Sequence, residues 1–322
     1  CVCSDDTVAG KRDSDALELD TTDLGFRVDT DPATVNRFLS ASDDAVRIVF
    51  ATYQSSDVVS AGTKGLDPFD IAVFDEAHKT TGLAGGQFSR PLSDDHIRIR
   101  KRLFFTATPR HIDIRSKRDK DGEYKVQSMD DPEVYGPRAH TLSFKAAADK
   151  GVICPYKVVI SVVDKKLIDD FTRKNGITLV DGDEVGTRWV SNLVALQQAI
   201  EQTGATKAIT FHSRVNLAKD FASDSPRGIG HYLEGFEVRH VNGKQRSSDR
   251  ADLIQAFAAA SKSIITNARC LTEGVDIPAV DMVAFIDPRQ SRVDIAQAVG
   301  RAMRKPRGKS EKTVGYVFVP LF

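Results

Sequence analysis

The segment Ile71-Ala-Val-Phe-Asp-Glu-Ala-His78 carries the sharpest local pattern of the sequence, since four apolar residues lead into two acids and then a histidine. A short apolar run that ends in polar residues is typical of a buried strand in a parallel sheet. Open α/β sheets bind their ligands at the carboxyl ends of such strands. The stretch therefore predicts a parallel sheet with Asp75 and Glu76 at its ligand-binding edge.

The same alternation continues along the chain on both sides of this stretch. Further apolar runs predict strands at 47–51, 102–105, 207–211, 263–266, 282–286 and 313–319. Amphipathic segments predict helices at 31–40, 191–203, 216–223, 247–260 and 293–303. Ser247 suits an N-cap, and Asp294 places a carboxylate in a first helical turn. Strands and helices in alternation predict an α/β fold.

Chain length and texture predict two domains. The 322 residues exceed the size at which single cores stop growing, roughly 250 residues. Charge-rich pieces with scattered proline and glycine interrupt the strand–helix rhythm between about 110 and 190. We place a first domain at 1–150, a joining segment at 151–185 and a second domain at 186–322.

Composition excludes several classes of protein. Lys+Arg and Asp+Glu both number 45, so the net charge is zero and any nucleic-acid site must be local. The four cysteines form no CxxC pair, which argues against a disulfide framework or a zinc site and favours a reducing cytosol. No apolar run approaches the ~18 residues of a membrane span. We expect a cytoplasmic protein with no membrane partner.

Adjacent acids after a strand suit nucleotide hydrolysis. The first can hold Mg²⁺ through water, and the second can orient and deprotonate the attacking water. Alternatively, the pair only caps the following helix. Further motifs argue against mere capping, each placed after a predicted strand or on a predicted helix: Thr106-Ala-Thr-Pro109, Phe211-His-Ser-Arg214, Thr272-Glu-Gly-Val-Asp-Ile-Pro278 and Gln297-Ala-Val-Gly-Arg-Ala-Met-Arg304.

In this order and spacing, the five motifs resemble motifs II to VI of superfamily two helicases and translocases of the DEAH-box type. Residues 47–55 resemble the family's nucleic-acid-contacting segment before motif II. Four shorter segments look like the joining region of helicases from restriction and phage-defence proteins, especially single-chain restriction enzymes with nuclease, motor and methyltransferase parts: 128–131, 135–136, 142–144 and 155–158.

The resemblance implies two RecA-like parallel-sheet domains in tandem that use ATP and Mg²⁺, and it implies a role for each matching residue. Asp75 would hold the metal, and Glu76 would be the catalytic base. The other roles are γ-phosphate contact by Gln297, Arg301 and Arg304, with Arg304 as arginine finger; nucleotide contact by Gly274 and Asp276; coupling by His78, Thr106 and Thr108; and contact to the nucleic-acid backbone by Thr52, Arg214 and Thr272.

Some of these residues also have ordinary structural interpretations. Thr52 could be a strand-end hydroxyl, Arg214 an exposed charge and Thr272 a turn former. Arg301 and Arg304 are three residues apart, so we expect them to share a helix face. Cys270 and Trp189 are expected in the core.

The phosphate loop GxxxxGK[ST], whose backbone amides and lysine hold the phosphates, does not occur in this sequence. Gly308-Lys-Ser310 follows a basic run and is expected to be a surface loop. The start of the chain has neither an initiator methionine nor a signal-peptide pattern. We therefore expect a fragment of a longer protein whose first domain is truncated at its N-terminus.

The expected parent is a nucleic-acid-dependent ATPase, a helicase or translocase that moves on DNA in a restriction or defence system. Duplex DNA is favoured over a single strand, and nuclease or methyltransferase domains are expected in the same or a partner chain. The fragment alone is expected to be inactive. The alternative is a helicase-like module that binds DNA or a protein without hydrolysis. A P-loop kinase is disfavoured, because such enzymes lack the 297–304 motif.

Overall fold

A computed structural model describes residues 2, 29–43, 45–83, 86–112, 118–119, 122–123, 126–179, 184–268, 271, 280–289, 291–305 and 312–321. The described chain divides into two compact units, the first ending at Thr141 and the second beginning at Leu142. Both contain helices and parallel strands, so the α/β class is confirmed. Within the described residues, no helix is long and apolar enough to cross a membrane.

The first unit is built around two short parallel strands. Its helices are α1 (Pro32–Leu39), α2 (Ser56–Gly62) and α3 (Pro132–Tyr135), and its strands are β1 (Ala72–Phe74), β2 (Gly82–Leu83), β3 (Arg102–Phe104), β4 (Arg118–Asp119), β5 (Gly122–Glu123) and β6 (Val126–Gln127). β1 pairs with β3, with Phe74 opposite Phe104. These two rings stack with centroids 5.0 Å apart, so the pairing joins the ends of both strands to one core.

The second unit is a six-stranded parallel sheet with helices on both faces. Its helices are α4 (Phe144–Asp149), α5 (Lys165–Lys174), α6 (Glu184–Thr203), α7 (Val215–Phe221), α8 (Ser247–Ala259) and α9 (Arg292–Met303). Its strands are β7 (Tyr156–Val162), β8 (Lys207–Phe211), β9 (Glu237–His240), β10 (Ser263–Asn267), β11 (Met282–Phe285) and β12 (Gly315–Leu321). The strand order is β7-β12-β11-β8-β10-β9. Alternate β8 residues enter opposite cores, with Ile209 in one and Ala208 in the other.

The predicted strand at 47–51 is wrong. Among the described residues, its backbone forms a single isolated bridge, in which Val2 pairs with Ala51 and the Val2 N–H donates to the Phe50 oxygen at 2.7 Å. An apolar run becomes a strand only when a ladder of partners satisfies its backbone. The described residues supply one bridge there.

Two helix starts differ from expectation. The predicted Ser247 cap is wrong, because Ser247 is already the first residue of α8 and Arg246 occupies the cap with no side-chain bond. α6 begins at Glu184, seven residues before the predicted start at Ser191. The residues between include Gly186 and Thr187, which are weak helix formers, yet Trp189 packs against the core beside Phe221 with ring centroids 5.7 Å apart. Tertiary packing therefore extends this helix.

Much of the expected joining segment 151–185 is regular structure in the second unit. β7 pairs with β12 over seven residues, from Tyr156 opposite Gly315 to Val162 opposite Leu321. α5 packs against α6 through Ile168, which lies with Val190 and Val194. Five of the six residues at 158–163 are valine or isoleucine, and such β-branched side chains favour extended backbone.

Candidate nucleotide site and nucleic-acid surface

Asp75 and Glu76 follow β1 directly at its carboxyl end. Asp75 is exposed, and its Oδ1 accepts the Glu76 N–H at 2.9 Å. Glu76 has φ 50° and ψ 43°, which makes it the single non-glycine residue with positive φ in the described chain. Left-handed backbone is unfavourable for a residue with a Cβ, and it persists where the surroundings hold it, often at functional sites.

His78 joins the acidic turn to the end of β3. Its Nδ1 lies 3.1 Å from Thr106 Oγ1, 3.5 Å from Thr108 Oγ1 and 3.3 Å from Glu76 Oε2. The imidazole is buried, and the Thr108 N–H donates to Thr106 Oγ1 at 3.1 Å. The structure thus brings together Glu76 and the three predicted coupling residues. A shift of the loop after β3 would reach the Glu76 carboxylate through one buried ring.

Two tyrosines for which the sequence predicted no role at the site brace this turn. Tyr53 Oη donates to the Asp75 carbonyl oxygen at 2.7 Å, and Tyr135 Oη lies 2.9 Å from Thr80 Oγ1. Burial raises the pKa of Tyr53, and the nearby Asp75 and Glu76 raise it further. Burial also raises the pKa of Tyr135. The sequence signal was weak: Tyr53 simply follows Thr52 in the segment predicted to contact nucleic acid.

Thr52 is half-buried and ordered by its own turn. Its Oγ1 lies 3.0 Å from Ser55 Oγ, and its carbonyl accepts the Ser55 N–H at 3.0 Å. The strand-end interpretation does not hold, because residues 47–51 form no strand before Thr52, and a 3-10 turn begins at Tyr53. Its hydroxyl stands where the chain enters the turn that carries Tyr53.

In the second unit, the residues after β8 are held by side chains from beyond β11. Asp287 Oδ2 accepts from Ser213 N at 2.8 Å and from Ser213 Oγ at 2.9 Å. Arg289 donates to the carbonyls of His212, at 3.0 Å, and Ala268. Arg214 comes next and is exposed. This bracing fixes the backbone from which the predicted nucleic-acid contact projects.

His212 itself is fully buried, with Nε2 2.9 Å from Thr210 Oγ1. Burial lowers the pKa of His212 to about 3, so its ring is neutral at physiological pH. The buried ring lies at the carboxyl end of β8, and the His212 carbonyl accepts a hydrogen bond from Arg289.

Gln297 and Arg301 lie on α9, but Arg304 does not. Ser291 Oγ caps the helix by accepting the Asp294 N–H at 3.2 Å, and Asp294 is in the first turn as predicted. The helix ends at Met303, and Arg304 is an exposed cap residue with ψ 132°. The prediction that Arg301 and Arg304 share a helix face is therefore wrong. Pro306 follows two residues later, and helices usually end before a proline.

Lys312 closes the carboxyl end of α9. Its Nζ donates to the carbonyls of Ala302 and, at 3.3 Å, Arg304, and it also reaches Val280. A cation is favoured at a helix C-terminus, where the carbonyls lack helical partners. Burial lowers the pKa of Lys312. Lys312 thus connects the carbonyls of Ala302 and Arg304 to that of Val280, which lies just before β11.

Three predicted site residues, Thr272, Gly274 and Asp276, lie outside the described residues, as do Cys270 and the tripeptide 308–310.

The donor chemistry at β1 suits a metal that is held together with a nucleotide. The described residues contain no group of three or more His, Cys, Asp or Glu side chains placed to hold a metal alone. Mg²⁺ is commonly bound through one or two carboxylates and substrate phosphates, with waters completing its shell. Asp75, an exposed carboxylate at a strand end, fits that requirement.

Comparison with known proteins finds similarity to helicases. Residues 191–306 match the family described as "Helicase conserved C-terminal domain". The "Probable helicase A859L" of African swine fever virus (isolate Tick/South Africa/Pretoriuskop Pr4/1996) is 24% identical over 281 residues, which are 85% of this chain and 28% of the relative. "ATP-dependent RNA helicase HAS1" of Kluyveromyces lactis is 30% identical over 105 residues, 33% of this chain and 20% of the relative.

Two solved structures of restriction enzymes are similar to this chain. The "ATP-dependent Type ISP restriction-modification enzyme LlaBIII bound to DNA" is similar with a TM-score of 0.74 and 27% identity, covering 99% of this chain and 22% of that one. A "putative HsdR subunit of a type I restriction enzyme" from Vibrio vulnificus YJ016 shares the fold, with a TM-score of 0.52, 17% identity and coverage of 89% and 51%. The chain spans less than a third of the viral helicase and of LlaBIII. The RecA-like fold is confirmed.

Proposed function

Because the chain carries a superfamily two helicase core close to those of restriction enzymes, we propose that it is the motor of a DNA translocase, in a restriction or defence system. Helicases of this family are nucleic-acid-dependent ATPases in general. The observation that carries the proposal is the contact of His78 with Glu76, Thr106 and Thr108, which joins the ends of two adjacent parallel strands. Such a junction can transmit a structural change between a nucleotide and a nucleic acid.

In the proposed ATPase reaction, Glu76 accepts the proton of the attacking water, and Asp75 would hold Mg²⁺ with its exposed carboxylate. The metal, when bound, would offset the charge of the nucleotide phosphates. His78, at 3.3 Å from Glu76 Oε2, keeps that carboxylate oriented. The left-handed Glu76 backbone sets the direction of its side chain. These roles are proposals drawn from the motif and its geometry.

We assign contact with the γ-phosphate to Gln297, Arg301 and Arg304 and contact with the rest of the nucleotide to Gly274 and Asp276. A planar guanidinium suits the spreading charge of phosphoryl transfer. Arg304 is the proposed arginine finger, and its extended backbone beyond α9 agrees with that role, because a residue past the helix end projects independently of the helix face.

DNA is the proposed track, with duplex DNA favoured over a single strand. The structures of LlaBIII and LlaGI are of DNA complexes, and they resemble this chain at 27% and 26% identity. Thr52, Arg214 and Thr272 are the proposed contacts to the phosphodiester backbone. We further propose a cytoplasmic location, functional domains at 1–150 and 186–322 joined by 151–185, and nuclease or methyltransferase partners.

A binding module without hydrolysis is the second candidate. The observation that favours it is the absence of GxxxxGK[ST] from the 322 residues. The full gene product that contains this chain separates the two candidates. A strand, GxxxxGK[ST] and a helix ahead of Cys1 support the motor, and their absence there supports the module.

ATPase assays test the proposal directly. We expect the full gene product to hydrolyse ATP faster with DNA than without it. The chain alone should show little or no turnover, because nothing in its sequence supplies the phosphate-loop amides and lysine. Turnover by the chain alone at ~1 to 100 s⁻¹, the range of ordinary phosphoryl-transfer enzymes, would contradict the proposal as stated.

A further inference from the structure

We propose that Tyr53 is a positioning residue, whose hydroxyl holds the Asp75–Glu76 peptide and links the nucleic-acid segment at Thr52 to the nucleotide site. The inference rests on the proposed function and deepens it, because it names the route by which DNA would act on hydrolysis. Tyr53 lies in the segment 47–55, but the resemblance assigned a role there to Thr52 and none to Tyr53.

The peptide group between Asp75 and Glu76 is held on both sides. Its carbonyl oxygen accepts from Tyr53 Oη at 2.7 Å, and its N–H donates to Asp75 Oδ1 at 2.9 Å. The residue that follows the peptide, Glu76, has the strained φ of 50°. Rotation of this peptide would relax the strain and turn the Glu76 side chain away. The Tyr53 hydroxyl opposes that rotation at a fixed atom.

Tyr53 is itself held in place by its ring. The ring stacks on Phe74 with centroids 6.5 Å apart and meets the edge of Phe88 at 6.1 Å. These contacts position the ring without using its hydroxyl, so a phenylalanine would pack equally well. The hydroxyl therefore has a purpose beyond packing, which is to donate to the Asp75 carbonyl.

The other end of the link is covalent. Thr52 immediately precedes Tyr53, and its carbonyl and Oγ1 both engage Ser55, each at 3.0 Å. Thr52 and Tyr53 therefore move with one short turn. DNA that draws on Thr52 would shift the Tyr53 hydroxyl and, through it, the peptide that orients Glu76.

Hydrogen exchange on this chain tests the clamp without any activity. Tyr53→Phe should accelerate exchange of amides in the 75–80 turn by about fivefold, the effect of one lost hydrogen bond. Tyr232→Phe is the matched control, since Tyr232 Oη also donates to a backbone carbonyl, that of Pro226 at 2.6 Å, in the second unit. Unchanged exchange at 75–80 in Tyr53→Phe would overturn the clamp.

Steady-state ATPase of the full gene product tests the link to DNA. In Tyr53→Phe, kcat with saturating DNA should fall about tenfold, as small misplacements of a catalytic group do. The KM for ATP and the affinity for DNA should stay within twofold of wild type. A higher KM for ATP and a higher Kd for DNA, together with lower thermal stability, would show a merely structural role and overturn the inference. A wild-type kcat in Tyr53→Phe would overturn it as well.

The two failures are distinguishable. If the wild-type gene product is not stimulated by DNA, the proposed function fails, and the inferred link fails with it. If wild type is stimulated and Tyr53→Phe is stimulated equally, only the inference fails. Tyr232→Phe should match wild type in both assays.

Discussion

Glu76 shows how a single residue can combine strain with a predicted role. Its left-handed backbone would be unremarkable in glycine, but with a side chain it is unfavourable and must be held by its neighbours. His78 contacts its carboxylate, and Tyr53 holds the carbonyl before it. At this scale, the expected effects of substitution follow from which atom of the side chain is removed.

Glu76→Gln in the full gene product should preserve ATP binding and abolish turnover. The amide keeps the shape and hydrogen-bonding reach of the carboxylate, but it cannot accept the proton of water. Measured by nucleotide binding and by steady-state ATPase, the variant should bind ATP normally and hydrolyse little. Glu201→Gln, at an exposed position on α6, is the control. Retention of most DNA-stimulated turnover in Glu76→Gln would remove the role of base from this residue.

Arg304→Ala should lower kcat by roughly 10³ to 10⁵, the effect of removing an arginine finger elsewhere. The side chain is exposed and lies past the end of α9, so its loss opens no core cavity and the fold should survive. Arg173→Ala, at an exposed position on α5, is the matched control. A kcat close to wild type would assign the finger to another arginine.

His212 makes the stability of the second unit depend on pH. Its folded pKa of about 3 lies below the ordinary value of 6.5, so the unfolded chain binds the extra proton between these two values. The stabilisation is present above about pH 6.5 and is lost as pH falls towards 3, by up to about 1.4 kcal/mol per pH unit. Denaturant unfolding at several pH values would measure the slope.

The control for this pH effect is another histidine. His212→Gln should flatten the slope, since it removes the titrating group, whereas His231→Gln, at an exposed position, should leave the slope as in wild type. Equal slopes for wild type and His212→Gln would mean that other groups govern the acid response.

At the scale of elements, α9 and β12 are packed with no space between their ends. A Cβ built on Gly315 would collide with the Ala302 carbonyl, near the end of α9, whereas one on Gly300 would meet open space. Lys312 lies between the two elements and bonds to the last carbonyls of the helix. The helix that carries Gln297 and Arg301 is therefore positioned by its C-terminal end as well as by its apolar face.

Two glycine substitutions should change stability in opposite directions. Gly315→Ala should destabilise by about 1 to 3 kcal/mol, because the added methyl overpacks against backbone that cannot yield. Gly300→Ala should stabilise by roughly 0.5 to 1 kcal/mol, because alanine favours the interior of a helix. Free energies of unfolding from denaturant titration would show both. A neutral Gly315→Ala would mean that α9 can move away from β12.

For the whole molecule, zero net charge limits how nucleic acid can bind. The basic residues cluster locally instead, in a sequence stretch from Arg301 to Lys312 with six cations and one acid, Glu311. Contacts to phosphates release counterions and carry no base information. A basic stretch of sequence in a chain without net charge therefore implies weak and sequence-independent attachment.

DNA binding by this chain should be weak, insensitive to sequence and strongly dependent on salt. Titrations of two unrelated duplexes at two salt concentrations would measure this, with log affinity falling by about 0.9 per phosphate contact for each log unit of salt. Nanomolar binding to one sequence that ignores salt would contradict the prediction.

The spacing of apolar residues along the chain predicted the positions of most strands and helices. Six of the seven predicted strands and all five predicted helices occur within a few residues of their predicted bounds, apart from the early start of α6. The period at which apolar residues recur indicates a helix or a strand, and it depends only on neighbouring residues in the sequence. The proximity of the residues at the strand ends could also be predicted from the sequence. A parallel sheet brings the carboxyl ends of its strands to one edge, and there His78 contacts Thr106.

Features that depend on partners far apart in the sequence could be seen only in the folded chain. Tyr53 reaches the Asp75 carbonyl across 22 positions, and no local spacing announces that bond. Segment 47–51 has the apolar pattern of a strand but lacks a ladder, whereas β7 gains one from β12 at the far end of the chain. A segment becomes a strand when another strand satisfies its backbone hydrogen bonds. The apolar pattern of a segment shows that it can form a strand, but it does not show which other segment will pair with it.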